Sequence, residues 1–194
     1  GTVNVVNALA QSCDVYFYQV GLKLGIDRLA WYAKAFGLGE KTGIDLDHES
    51  NGLIPTAAWK KKRTGVPWQR GETLSVAIGQ GYNLATPLQM VVLTAAVANG
   101  GILYSPQILS RVETAGGEVV LSKEKTIAGK LPIGKKTLEI VKKGLWEVVN
   151  GSRGTARVAR LKDCEICGKT GTAQIVGRKK NEIVKDSDRE KHHR

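Results

Sequence analysis

The sequence lacks an apolar run long enough to cross a membrane. Its longest apolar stretch, residues 90–98, is far shorter than the roughly 20 residues that a transmembrane helix needs. The first residues also lack the basic and apolar regions of a secretory signal peptide. The chain starts with Gly1 instead of Met, and an apolar helical pattern is under way by Val3. These features predict a segment cut from a longer protein.

Cysteine is scarce, with Cys13, Cys164 and Cys167 the only three. One Cys-x-x-Cys pair lacks the two further ligands of a zinc site, so we expect no metal. If residues 164–176 form a strand, Cys164 and Cys167 point to opposite faces, which suits a disulfide poorly. We therefore expect free, buried thiols.

Acidic residues are also few, with 18 Asp and Glu against 29 Lys and Arg, for a formal net charge of +11. Such a charge suits nucleic acid, anionic lipid or an acidic polymer. No nucleic-acid motif accompanies it, so we predict a solvated basic surface and no nucleic-acid partner. A basic polymer-binding module stays open as an alternative. The basic residues form short groups at residues 60–63, 135–136, 142–143 and 178–180.

Length and a hydrophobic share of 42% fit one ordinary domain with a core. Apolar spacing predicts helices over residues 3–11 and 14–24 and a third helix capped by Asp27 and ended by Gly37. Thr86 and Pro87 open a further helix that ends at residues 99–101. A last helix is marked by apolar residues between 138 and 148.

Stranded and irregular segments complete the prediction. Residues 102–112 and 118–121 have the pattern of a strand pair joined through residues 115–117, and residues 164–176 alternate like a strand. Helices followed by strands predict a mixed α/β (α+β) fold, with a helical part packed on an antiparallel sheet. Residues 39–70 are predicted to be irregular, and the charged residues 177–194 to form a mobile loop.

The strongest chemical signal is the run from Gly168 to Gln174, which reads Gly-Lys-Thr-Gly-Thr-Ala-Gln. Lys169 supplies positive charge for a carboxylate, and the hydroxyls of Thr170 and Thr172 supply hydrogen bonds. Gly171 leaves room for a substrate against the backbone, and the amide of Thr172 can face a developing oxyanion.

A second signal is Ser12-Cys13-Asp14, a polar turn between two predicted helices that can place a hydroxyl and a carboxylate in a cleft. Ser-x-x-Lys, Ser-Asp-Asn and Lys-Thr-Gly together mark serine β-lactamases and penicillin-binding proteins. This chain has the second and third members in order. The flanking segments at residues 12–19, 42–46, 79–82 and 86–89 resemble the class B penicillin-binding-protein transpeptidase domain, and residues 55–68 resemble its elongation-type members.

The resemblance implies a transpeptidase fold of the penicillin-binding-protein and serine β-lactamase type, of which residues 1–194 form an incomplete part. It implies a peptidoglycan D,D-transpeptidase that cross-links stem peptides ending in D-Ala-D-Ala and is acylated by β-lactams. Ser12 would relay protons and Asp14 would orient the substrate amide. Lys169, Thr170, Gly171 and Thr172 would hold the terminal carboxylate. Asp14 departs from the usual Asn, because an ionised Asp accepts hydrogen bonds but cannot donate them.

Two segments imitate the motifs. Lys41-Thr42-Gly43 lies in the irregular stretch, so we interpret it as a loop. Ser122 and Lys125 fit Ser-x-x-Lys, but they follow Ser12 instead of preceding it, in a charged stretch that would not begin a buried helix. The attacking serine and a downstream strand are therefore expected outside this chain, and the chain alone is expected to be inactive.

The resemblance also implies a periplasmic domain anchored in the inner membrane, with stem peptides, β-lactams, a membrane glycan polymerase and the rod-shape complex as partners. No cofactor is implied. A non-catalytic penicillin-binding or sensor domain of the same fold stays open as an alternative, because the Ser-x-x-Lys member of the set is missing in its expected place.

Overall fold

The computed structural model describes residues 2–173, and the predicted loop at residues 177–194 lies outside them. In this part of the chain no helix combines the length and the apolar composition that a membrane crossing requires. The helices are α1 (Val5–Ala10), α2 (Asp14–Leu24), α3 (Ile26–Ala35), α4 (Ala57–Thr64), α5 (Arg70–Ala77), α6 (Pro87–Ala98) and α7 (Lys135–Asn150). The strands are β1 (Ile102–Tyr104), β2 (Arg111–Glu113), β3 (Val119–Ser122) and β4 (Ile127–Lys130).

The five predicted helices are present, and their ends follow the expected chemistry with one exception. Thr86 accepts a hydrogen bond from the Gln89 N–H at 3.1 Å, and Pro87 takes the first position of α6. The N-cap prediction for Asp27 is wrong, because Gly25, at φ 75°, turns the chain from α2 into α3. Asp27 lies one turn further on and accepts the N–H of Ala57 at 3.0 Å, where α4 begins.

Helices α4 and α5 were not predicted. Residues 57–64 read Ala-Ala-Trp-Lys-Lys-Lys-Arg-Thr, which has no apolar period to signal a helix. Capping and a buried ion pair hold the two helices. Thr56 accepts the N–H of Trp59 at 3.0 Å. The ammonium of Lys60, only 4% exposed, lies 2.6 Å from the Glu72 carboxylate. The prediction of an irregular stretch therefore holds for residues 39–56 and fails beyond them.

The loop at residues 39–56 is fastened by one buried amide. Gln89 of α6 has no exposed surface, and its Nε2 donates to the carbonyls of Glu40 at 2.6 Å and Asn51 at 2.9 Å. Its Oε1 accepts the N–H of Thr86 at 2.9 Å. Because all three partners are backbone groups, this side chain replaces the ladder that the loop lacks.

Two antiparallel strand pairs are present in place of the single predicted pair. The predicted hairpin exists as β2 with β3, whereas β1 pairs with β4. Residues 105–110 interrupt the predicted strand, since Pro106 has no N–H for a ladder. A small core joins α6 to the β1–β4 pair: Ala96, Leu103 and Leu131 are buried, and Phe36, Val92, Val97 and Ile133 pack against them.

The strand predicted at residues 164–176 is wrong over residues 164–173, which are irregular; residues 174–176 are not described. A strand needs a neighbour, and within residues 2–173 this segment packs on a helix instead. The Gly168 N–H donates to the Leu145 carbonyl at 3.1 Å, and Asn150 Nδ2 donates to the Ile166 carbonyl at 2.9 Å. Both partners belong to α7, so α7 takes the place of the expected strand.

Two glycines bring helices into close contact. A Cβ on Gly144 of α7 would lie 3.0 Å from the Cβ of Leu9 in α1, and a Cβ on Gly21 of α2 would lie 2.5 Å from the Cβ of Ala77 in α5. Real Cβ contacts are rarely so short, so the α1–α7 and α2–α5 pairs need these glycines.

We expect Gly144→Ala to lower the free energy of unfolding by about 1–3 kcal/mol, because the added methyl group overfills the α1–α7 contact. Urea unfolding measures this change. Gly71→Ala is the matched control, since Gly71 is helical and its Cβ would meet no atom within 4 Å. We expect that control to be neutral or to stabilise by up to about 1 kcal/mol. Equal effects of the two substitutions would contradict the close α1–α7 contact.

Candidate functional site

Ser12 lies in a backbone conformation that few residues other than glycine adopt. It follows Gln11, the C-cap of α1, and has a φ of 52°. Its N–H donates to the Leu9 carbonyl at 3.2 Å, and the Cys13 N–H donates to the Ala8 carbonyl at 2.9 Å. This is the Schellman motif, in which glycine usually takes the left-handed position. A side chain there costs of order 1 kcal/mol, so the fold bears strain to hold this hydroxyl.

Asp14 begins the next helix immediately after this turn. It is the first residue of α2, where a carboxylate is favoured by the helix dipole. Cys13 between the two is half-buried and carries a free thiol. The turn from α1 to α2 therefore places Ser12 and Asp14 side by side, as the sequence predicted.

Lys169 completes the polar centre from the far end of the described chain. Its Nζ donates to Ser12 Oγ at 2.6 Å, across 157 positions of sequence. It also donates to the carbonyl oxygen and the Oγ1 of Thr170, both at 3.1 Å. An ammonium has three hydrogens, and each has an acceptor here. The structure thus brings the two predicted motifs into direct contact.

The position of Lys169 depends on α7. Gly168 and Ile166 are hydrogen-bonded to that helix, and Trp146 Nε1 donates to the Glu165 carboxylate at 3.3 Å. Helix α7 in turn packs on α1, whose end carries Ser12. One helix pair therefore sets the distance between Lys169 and Ser12.

A cleft of about 400 Å³ opens around this contact, a size that suits a small ligand or a peptide end. All six predicted site residues line it, together with four that the sequence analysis did not assign to the site. The lining consists of Ser12, Asp14, Phe17, Ala77, Ile78, Gln80, Lys169, Thr170, Gly171 and Thr172.

The missed wall comes from the end of α5 and the turn after it. Ala77, Ile78 and Gln80 reach the cleft because Gly21 lets α5 approach α2 closely. The segment at residues 79–82 already stood out in the sequence as a family flank, and that signal was available for assigning Gln80. Below the turn, the Tyr82 hydroxyl donates to the Glu72 carboxylate at 3.3 Å.

The cleft changes the electrostatics of its lysine. Partial removal from water lowers the pKa of the Lys169 ammonium, and the nearby negative charge of Asp14 offsets only part of that effect. The net pKa of Lys169 is therefore below the ordinary lysine value. The ion pair behind the α5 wall is different. Burial by itself raises the pKa of the Glu72 carboxyl, but hydrogen bonds from Lys60 and the Gln69 N–H outweigh burial and lower it.

The two imitating segments lie away from the cleft. Ser122 ends β3, and its neighbour Lys123 forms an ion pair with Asp45. Thr42 donates its N–H and its hydroxyl to Glu49 at 2.7 and 2.6 Å, within a loop. Neither segment begins a helix, so both interpretations from the sequence are confirmed.

The cysteine prediction is correct in one respect and wrong in another. Cys164 and Cys167 carry free thiols, as expected, but they are exposed instead of buried. They are exposed because residues 164–173 are not an inner strand of a sheet. Within residues 2–173, no three His, Cys, Asp or Glu side chains converge as metal ligands.

Known proteins match this chain closely. The penicillin binding protein transpeptidase domain model matches residues 1–190. The peptidoglycan D,D-transpeptidase MrdA of Escherichia coli is 40% identical over 184 residues, which cover 94% of this chain and 29% of MrdA. The chain therefore spans less than a third of the length of this relative.

Solved structures agree in fold. Penicillin-binding protein PBP2 of Helicobacter pylori, in a complex with MreC, has a TM-score of 0.75 and 37% identity over 90% of this chain and 31% of that one. PBP2 of Pseudomonas aeruginosa, in complex with WCK 5153, has a TM-score of 0.75 and 38% identity over 89% of this chain and 39% of that one. The predicted α/β transpeptidase fold is confirmed, and the chain belongs to the penicillin-binding protein transpeptidase family.

Proposed function

We propose that the protein containing this chain is a peptidoglycan D,D-transpeptidase and that this chain forms one wall of its active site. The observation that carries the proposal is the 2.6 Å contact between Lys169 Nζ and Ser12 Oγ in a cleft. A cationic group, a hydroxyl and a strand-like Thr-Gly-Thr run together suit a ligand with a terminal carboxylate.

The reaction we propose is acyl transfer in two steps. A serine attacks the penultimate D-Ala carbonyl of a donor stem peptide, and the terminal D-Ala leaves as an amine. An amine of a second stem peptide then attacks the acyl-enzyme and forms the cross-link. The only Ser-x-x-Lys in these 194 residues is at Ser122, away from the cleft, so we assign the attacking serine to another part of the protein.

Each cleft residue has a role that its chemistry permits. The ammonium of Lys169 and the hydroxyls of Thr170 and Thr172 hold the terminal carboxylate, and Gly171 leaves space for the peptide beside the backbone. The Thr172 amide contributes half of the oxyanion hole. The other two roles fall to the α1–α2 turn.

Ser12 and Asp14 act on the reacting amide. Ser12, hydrogen-bonded to the Lys169 ammonium, passes a proton toward the leaving amine. The Asp14 carboxylate accepts a hydrogen bond from the N–H of the substrate amide. It cannot donate one as Asn does, so the substrate carbonyl needs a different donor.

We also propose that the domain lies in the periplasm, in a protein anchored in the inner membrane. The match to PBP2 in complex with MreC supports a rod-shape partner of the MreC kind. β-Lactams as acylating ligands and a membrane glycan polymerase as a further partner are expected from the family.

The direct test is acylation of the full-length protein by a penicillin, followed by intact-mass analysis. We expect one acyl adduct on the full-length protein and none on residues 1–194 alone. An unreactive full-length protein would favour a non-catalytic sensor domain. An adduct on Ser122 would contradict the assignment of the site.

The pKa of Lys169 predicts a pH dependence. Lys169 holds the carboxylate only while protonated, so binding weakens as pH rises through its pKa, which is lower than that of an ordinary lysine. We expect the rate of acylation by a carboxylate-bearing penicillin to begin falling below the usual lysine range. Lys169→Arg is the control, because arginine stays charged throughout and should remove this limb of the profile. The same alkaline limb in both proteins would assign it to another group.

The strain at Ser12 predicts opposite effects on stability and activity. Ser12→Gly should raise the free energy of unfolding by about 1 kcal/mol, because glycine takes a positive φ freely. Activity should fall by about 100-fold or more with the loss of the hydroxyl. Ser12→Ala is the control, since it removes the same hydroxyl but retains the strain. Urea unfolding and acylation rates of both variants decide this, and equal stability of the Gly and Ala variants would argue against strain.

A further inference from the structure

Thr155 touches both walls of the cleft without lining it. Its N–H donates to the Ala10 carbonyl at 3.1 Å, two residues before Ser12. Its Oγ1 lies 3.1 Å from Thr170 Oγ1. Thr170 is joined to Ser12 through the ammonium of Lys169, so these contacts close a ring. No other residue of the described chain is bonded to both the end of α1 and the Lys169–Thr170 pair.

The place of Thr155 is fixed by the turn that follows α7. The Ala156 N–H donates to the Val148 carbonyl at 2.9 Å, and the Gly154 N–H donates to the Gly151 carbonyl at 3.1 Å. A Cβ on Gly154 would overlap the Val148 carbonyl oxygen, so this turn lies directly against the helix. Thr155 therefore holds its hydroxyl at a set position beside Thr170.

The hydrogens around Thr170 Oγ1 can be counted. This oxygen has two acceptor sites and one hydrogen. One acceptor site takes a hydrogen from Lys169 Nζ. If Thr170 donates to Thr155, its only hydrogen is turned away from any ligand. If Thr155 donates instead, the second acceptor site is filled and the Thr170 hydrogen is free for the cleft.

We infer that Thr155 is a positioning residue that donates its hydroxyl hydrogen to Thr170 Oγ1 and thereby directs the Thr170 hydrogen to the carboxylate of a bound ligand. This inference rests on the proposed transpeptidase function. An incoming carboxylate offers only acceptors, so the bond to it forms when Thr170 is the donor and Thr155 supplies the other hydrogen. Thr155 itself does not touch the ligand.

The test compares full-length protein with Thr155→Val and Thr155→Ser, using a penicillin as its free acid and as its methyl ester. Valine keeps the shape and removes the hydroxyl, and serine keeps the hydroxyl. For Thr155→Val, we expect the acylation rate constant for the free acid to fall by about 3- to 10-fold, the range of one neutral hydrogen bond. The methyl ester, which lacks the carboxylate charge, should react at an unchanged rate. Thr155→Ser should restore the free-acid rate.

Other outcomes separate this inference from the function on which it rests. If the unaltered protein is not acylated, the proposed function fails. If it is acylated and Thr155→Val slows both ligands equally, or neither, the positioning role is overturned while the function stands. Failure of Thr155→Ser to restore the rate overturns it as well. Thermal unfolding of each variant checks that it is folded, and Thr155→Ala replaces the valine variant if that one is not.

Discussion

The contact between α1 and α7 is the constraint on which the cleft depends. Gly144 has no side chain, so Leu9 can lie directly against α7. That contact fixes two things at once. The end of α1 carries Ser12, and the surface of α7 holds the segment that leads to Lys169 through the Leu145 carbonyl and the Asn150 amide. Without a side-chain-free position on α7, the two motifs would be farther apart than the 2.6 Å hydrogen bond allows.

Stability and chemistry compete at the turn after α1. A glycine at position 12 would complete the Schellman motif without strain, but it has no hydroxyl. The chain has serine there, and the lysine ammonium of the opposite wall bonds to it. Lys169 is itself displaced from its ordinary state, because partial desolvation lowers its pKa. Strain and desolvation are thus concentrated where the chemistry lies, a common property of active sites.

The third wall shows a different solution to the same problem. Gln80 follows α5, and α5 is held from beneath by the buried ion pair of Lys60 and Glu72. The long loop at residues 39–56 is held by Gln89 instead of by strands. In both regions one buried polar side chain makes several hydrogen bonds at once. Such groups are costly to leave unpaired, so they specify a single arrangement of otherwise irregular chain.

Local patterns account for what the sequence analysis predicted well. Caps such as Thr86, the apolar spacing of five helices and the two motifs with their flanks are each written in a few neighbouring residues. The missed helices α4 and α5 are rich in charge and lack an apolar period, because they are held by caps and an ion pair rather than by an apolar face. The predicted strand at residues 164–173 failed for a related reason. Strand formation depends on a neighbour, and alternation in one segment cannot show which element lies beside it.

The sequence by itself determined the family, the five periodic helices and the identity of Ser12, Asp14, Lys169, Thr170, Gly171 and Thr172 as site residues, since motifs of a few residues carry that information. Only the tertiary structure decided that α5 forms a third wall and that Thr155 joins α1 to the Lys169–Thr170 pair. It alone also showed that Ser12 adopts a positive φ. These features depend on contacts between residues far apart in the chain, and such contacts exist only once the helices have packed.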